Sequence, residues 1–293
     1  MSGQTAGLEE TLTALERNVR SDPRYAHTTN LVLLHRGDVM LDRAFAGHSP
    51  DDLVDIYSVT KSVVSALVGI ALRRGELDSL DRLVYGGPRT FRHLLTMTGG
   101  TECDGPWEID EVLAMPAGWL EFLLAAPRLF PPGERFRYDN GAAHVLGCAL
   151  ADCVGHTLAD YAREHLFIPL GIERFEWPAD PEGYSYGFGH LRLRPRDLAL
   201  IGELQRRGGE NLLDGGYAAE ATMPHTPGGG PENAGYGYLW WVGDGMFFGG
   251  GYAGQSLIVF PAHEVVAVTA GTEELLRPGW RNARHAVEEA LAS

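Results

Sequence analysis

From Val63 to Leu72 the chain reads VVSALVGIAL, the centre of a segment, residues 59–74, that is apolar on nearly every side of a helical wheel. A helix with one apolar stripe rests on a surface, but a helix apolar all round must be enclosed. The run is too short to cross a bilayer, which needs about 20 residues. It therefore predicts a buried central helix, and the rest of the chain must supply its walls.

Those walls differ along the sequence. Residues 28–47, TTNLVLLHRGDVMLDRAFAG, give two β-rich runs around Arg36, Gly37 and Asp38, which predicts a hairpin. Residues 76–208 carry mostly helical patterns broken by Pro and Gly, and from about 235 short β runs alternate with glycines before a closing helical stretch, GWRNARHAVEEALA. Strands at both ends with helices between them predict an α/β (α+β) fold in which 1–75 and 209–293 form one discontinuous sheet domain and 76–208 a mostly helical insertion. The N-terminal residues form an amphipathic surface helix and lack the pattern of a secretory leader, so a cytoplasmic protein is expected.

At 293 residues, 44% hydrophobic and 22% charged, the chain has the composition of a globular protein. A net charge of −15 with no basic block argues against nucleic acid or an anionic membrane as partner. Cys103, Cys148 and Cys153 fit neither a disulfide set nor a zinc pattern, and no HExxH motif occurs. Neither metal nor cofactor is expected.

The buried helix also holds the only lysine of the chain, Lys61, against 23 arginines. Arginine serves as a solvated charge but keeps its proton, whereas a desolvated lysine amine can become neutral and act as a base. Ser58 lies three positions earlier. In a helix that offset is roughly 300° of rotation and about 4.5 Å of rise, so the two side chains share a face. With ten serines in 293 residues the coincidence is about 3%. A helix N-terminus would also favour negative charge developing at Ser58. The bland alternative is an N-cap serine followed by a snorkelling lysine.

Two further stretches bring a resemblance. Ser58-Val59-Thr60-Lys61 with Tyr138-Asp139-Asn140 resembles the serine β-lactamase and penicillin-binding protein superfamily, and the likeness continues through FRHLLTMTGG, HLFIPLGI, LRPRDLALIGELQRRGG, YGYLWW and GYAGQSLIVFP in order. Within it the chain is most similar to the class C-like branch with family VIII carboxylesterases and 6-aminohexanoate-oligomer hydrolases. The resemblance implies an antiparallel sheet flanked by helices, with the site between sheet and helical insertion. It implies Ser58 as nucleophile, Lys61 as its base, Tyr138 as proton shuttle to the leaving group, and Asn140 as hydrogen-bond partner of Lys61 and substrate. The implied oxyanion hole is the N–H of Ser58 and of Gln255.

The family's third motif, Lys-Thr-Gly or a His variant, aligns with Tyr252-Ala253-Gly254, which with Trp240 are the expected substrate-binding residues. That alignment lacks the cation, and no Arg lies between Arg207 and Arg277. Neutral esters or amides are therefore expected over β-lactams, in a cleft opened by the short spacing from Tyr138 to Tyr252. An acyl-enzyme hydrolase of a small-molecule ester or amide is the leading expectation. The alternatives are a biosynthetic acyltransferase, a β-lactamase or D-Ala-D-Ala peptidase, and an inactive binding or sensor protein.

Other motifs carry less. GYSYG at 183–187 matches the G-x-S-x-G elbow, but neither the strand before nor the helix after Ser185 is present in the pattern. GGGYAG at 249–254 is followed by a strand-like QSLIVF and not by a phosphate-binding helix. His93 and His144 read as core histidines. Of Trp240 and Trp241, alternating along a strand, one faces the pocket and the other the core.

Overall fold

The computed structural model describes residues 2–291. Its strands are β1 (Thr28–His35), β2 (Asp38–Ala44), β3 (Val54–Asp55), β4 (Arg192–Leu193), β5 (Thr226–Gly229), β6 (Ala234–Tyr236), β7 (Trp241–Val242), β8 (Phe247–Gly250), β9 (Ser256–Phe260) and β10 (Val265–Gly271). Eight of them form one antiparallel sheet in the order β2-β1-β10-β9-β8-β7-β6-β5, and β3 pairs with β4 apart from it. Among the described residues the helices of nine residues or more are α1 (Ser2–Ser21), α2 (Thr60–Arg74), α3 (Asn140–Val154), α4 (Pro195–Arg206) and α5 (Ala283–Leu291).

Every residue of β9 is buried, as is nearly all of β1 and β10. Strands that bury both pleat faces read as continuous apolar runs, and the sheet centre is accordingly covered on both sides. Helix α4 lies over β1, β9 and β10, where Gly202 lets it approach so closely that a Cβ would stand 2.7 Å from Leu257 and Val266. Helix α5 packs on β10 and on α1, which faces inward with Leu12, Leu15 and Val19. Helix α4, which lies within residues 76–208, thus packs on the sheet.

Helix α2 is the enclosed element: Thr60 to Ala71 are all buried. It ends at Gly75, whose φ of 72° places it in the left-handed region that closes helices. Helix α3 crosses it, and β8 runs against its first turn. Among the described residues no single helix is long and apolar enough to cross a membrane. The three cysteines are free thiols.

Candidate active site

Ser58 sits on a short 3-10 turn, Tyr57–Val59, that leads into α2, and Lys61 follows in the first turn of the helix. Lys61 is 1% exposed. Its Nζ is hydrogen-bonded to Ser58 Oγ at 2.8 Å and donates to the Phe188 carbonyl at 2.6 Å. Burial lowers its pKa from 10.5 to about 7, against the opposing charge of Asp139.

Tyr138 comes from the extended segment ahead of α3, and Asp139 caps that helix by accepting the Ala142 N–H at 2.8 Å. The Tyr138 hydroxyl faces Ser58, and burial raises its pKa well above the ordinary tyrosine value. Its ring centroid lies 5.0 Å from Lys61 Nζ, and its ring stacks on Trp241 at 5.6 Å and 16°. Serine, lysine and tyrosine thus converge on one point, with the tyrosine held by an aromatic wall.

The strand edge facing this point is the end of β8. A Cβ on Gly249 would stand 2.7 Å from Ser62 Oγ, and one on Gly251 would stand 2.8 Å from the Ile56 carbonyl. Only glycine lets that backbone lie against the first turn of α2. Among the described residues no acceptor takes the N–H of Ser58 or of Tyr252, and both residues line one cavity of about 510 Å³.

A strap, residues 187–191, binds the turn from the other side. The Ile56 N–H donates to Leu191 O at 2.9 Å, and the Leu191 N–H donates to Thr60 Oγ1 at 3.1 Å. Asp55 accepts the Tyr57 N–H at 2.7 Å and pairs with His190 Nδ1 at 2.7 Å. Tyr57 and His190 hold φ of 45° and 65°, the left-handed region that non-glycine residues avoid, on either side of this contact. No local sequence pattern marks the strap, which begins at the last glycine of GYSYG.

Residues 15–292 match the sequence profile of the family described as Beta-lactamase. The chain belongs to the beta-lactamase family. Among its relatives, the 6-aminohexanoate-dimer hydrolase of Paenarthrobacter ureafaciens is 24% identical over 282 residues, spanning 82% of this chain and 71% of that protein. The structure of EstCE1, described as a hydrolase with promiscuous acyltransferase activity, superposes with a TM-score of 0.80 at 17% identity, covering 98% of this chain and 100% of the other. A penicillin-binding protein from Bacillus halodurans gives 0.76 at 18% identity over 94% and 98%. These likenesses show a shared fold.

Against that family's pattern, several expected contacts take a different form. Asn140 does not bond Lys61: the amine is engaged by Ser58 and Phe188, and Asn140 Oδ1 is buried without a partner among the described residues. Gln255 is turned away, its N–H on the Tyr252 carbonyl at 3.3 Å and its side-chain amide on Gly271 O at 2.7 Å, and it lines a separate cavity with Thr29 and Thr272. Tyr252-Ala253-Gly254 is a 3-10 turn past the strand, so the backbone beside Ser58 is Gly249–Gly251, three residues earlier than aligned. Tyr252 and Ala253 still line the cavity, Tyr252 being 55% exposed, whereas Gly254 does not.

The two tryptophans divide as alternation requires, but the pocket residue is Trp241; Trp240 is 1% exposed and packs edge-on against Phe247 at 5.3 Å. Cations do reach this beta-lactamase-family cavity, from beyond the strand region: Arg281 and Arg284 line it. Arg284 is balanced by Glu232 at 2.8 Å and Glu288 at 3.3 Å and lies over Phe248, and Arg281 is balanced by Glu289 at 2.5 Å. Ser185 lies off this site, buried and accepting the Ala159 N–H at 3.2 Å. His93 serves the capping box of the short helix Phe91–Leu95.

Proposed function

We infer that this protein is a serine hydrolase that forms an acyl-enzyme on Ser58 from a small-molecule ester or amide. The observation that carries this reading is the 2.8 Å contact between Ser58 Oγ and a buried lysine amine whose pKa is near 7. An amine neutral at that pH accepts the Ser58 proton as Oγ attacks the substrate carbonyl carbon. The carbonyl oxygen becomes an oxyanion between the N–H groups of Ser58 and Tyr252. As the C–O or C–N bond breaks, the Tyr138 hydroxyl delivers a proton to the leaving group and recovers one from the Lys61 ammonium. Water, activated by the same pair, then attacks the ester and releases the acid.

The paired state of Arg281 and Arg284 supports a neutral substrate, since an anion would have to displace Glu232 or Glu289. Trp241, Tyr252 and the half-exposed Trp280 give the cavity an aromatic wall suited to an apolar acyl or leaving group. Transfer to an amine or alcohol in place of water is the second reading, supported by the exposed aromatic mouth and by the described activity of EstCE1.

Intact-mass and peptide analysis after treatment with a fluorophosphonate should find one adduct, on Ser58, absent in Ser58→Ala. An adduct on Ser185, or labelling that persists in Ser58→Ala, overturns the assignment. Added amines or alcohols partition the acyl group if transfer operates; hydrolysis alone at high acceptor concentration excludes it.

A further inference from the structure

His144 is fully buried in α3 and takes no part in the chemistry above. Its Nε2 lies 3.1 Å from Asp180 Oδ2, and its Nδ1 receives the Gly187 N–H at 3.4 Å. A ring nitrogen that accepts carries no proton, so the proton is on Nε2 and is donated to Asp180. Asp180 is in turn fixed by the Tyr184 N–H, which Oδ1 accepts at 2.8 Å.

Cys148, one helical turn along, places Sγ 3.7 Å from Nε2, and the donor atoms of His144, Cys148 and Asp180 all lie within 4.8 Å of one another. A metal on Nε2 would need a protonated Nδ1 that donates to an acceptor. Here Nδ1 faces an N–H, so the cluster is a hydrogen-bonded one.

Its reach is toward the site. A Cβ on Gly187 would stand 2.5 Å from the Ala143 carbonyl, so the strap backbone rests directly on α3. The next residue is Phe188, whose carbonyl receives Lys61 Nζ at 2.6 Å and whose ring meets His144 edge-on at 5.8 Å. A neutral amine has one lone pair, and its direction is set by where its N–H bonds are held. One of them is held by Phe188 O.

We propose that His144, held by Asp180, is a positioning residue for Lys61: it fixes Gly187, and through it the Phe188 carbonyl that turns the amine lone pair onto Ser58. This rests on the reading of Lys61 as the base. It assigns the core histidine a role in acylation without contact to substrate.

Two measurements test it. In the wild-type protein, the nitrogen and carbon NMR shifts of His144 should report the Nε2–H tautomer; an Nδ1–H tautomer overturns the proposal whatever the variants do. Then His144→Gln, whose amide reaches Asp180 but not Gly187, should lower the acylation rate constant for p-nitrophenyl acetate by about 10²-fold at alkaline pH with its KM unchanged. His144→Asn, whose Oδ1 can replace Nδ1 toward Gly187, should stay within about 5-fold of wild type. Leu150→Ala, a core truncation on the same helix, should lower the melting temperature without changing acylation. Wild-type acylation of Ser58 by folded His144→Gln removes the positioning role and leaves the serine chemistry intact. Absence of any Ser58 adduct in wild type instead removes the underlying reading, and the proposal with it.

Discussion

Lys61 Nζ lies 2.8 Å from Ser58 Oγ in a region where the lysine is 1% exposed, so the proposed base is also one of the most deeply buried polar groups among the described residues. The amine loses its proton near pH 7 because burial disfavours the ammonium, and Asp139, itself pushed up to about 6 by its own burial, limits the drop. Acylation should therefore rise with pH through a midpoint near 7 and then level off. The midpoint belongs to the coupled Lys61 and Tyr138 unit and not to either residue. Fluorophosphonate labelling rates between about pH 5 and 9 check this; a rate independent of pH across that range contradicts a lysine base.

Replacing Lys61 separates charge from basicity. Lys61→Arg keeps a cation but never a lone pair, and it should stay folded while losing acylation by at least ~100-fold. Circular dichroism with labelling kinetics measures both halves of that expectation.

The same burial makes Lys61 a stability liability, and the sign follows from proton binding. Unfolded, the amine keeps its proton to about pH 10.5; folded, it loses it near 7, so between those values the unfolded state binds more protons and stability rises with pH. At and below pH 7 the penalty is close to fully present. Lys61→Met, which fills the space without a polar group, should raise stability by about 1–4 kcal/mol at neutral pH while abolishing acylation. Its advantage over wild type in melting temperature should shrink toward pH 10.

Gly251 is where β8 meets the turn, with room for no side chain: a Cβ there would stand 2.8 Å from Ile56 O and 3.3 Å from Tyr57 Cβ. Gly251→Ala should push the strand from Ser58, destabilising by about 1–3 kcal/mol. Because the Tyr252 N–H moves with it, acylation should fall by about 10²-fold, more than the stability loss explains. Thermal melts alongside labelling rates decide it.

Tyr138 touches Ser58 and stacks on Trp241, so removing only its hydroxyl leaves the wall in place. Tyr138→Phe should depend on the leaving group: a small loss on p-nitrophenyl esters, whose phenolate needs no proton, and a loss of about 10²-fold or more on the matching anilide. Equal losses on both substrates would remove the proton-shuttle role.

The local features of this protein were legible in its sequence because each is set by neighbours a few residues apart. The all-round apolar helix, the hairpin around Gly37 and the i,i+3 pairing of Ser58 with Lys61 all follow from backbone periodicity and side-chain chemistry. The lone lysine pointed to the same buried amine beside Ser58 that is proposed as the base. What lay outside local rules was decided by tertiary packing. Phe188, 127 residues from Lys61, supplies the acceptor expected from Asn140. Strand register selected Trp241 over Trp240 and Gly249–Gly251 over the aligned turn, since a strand's faces exchange with a one-residue shift. The arginines absent from the strand region arrive from α5 and the segment before it. Periodicity fixes which way a side chain points within its own element, but which distant backbone stands opposite depends on how buried surfaces of several elements close together, and that is a property of the packed chain alone.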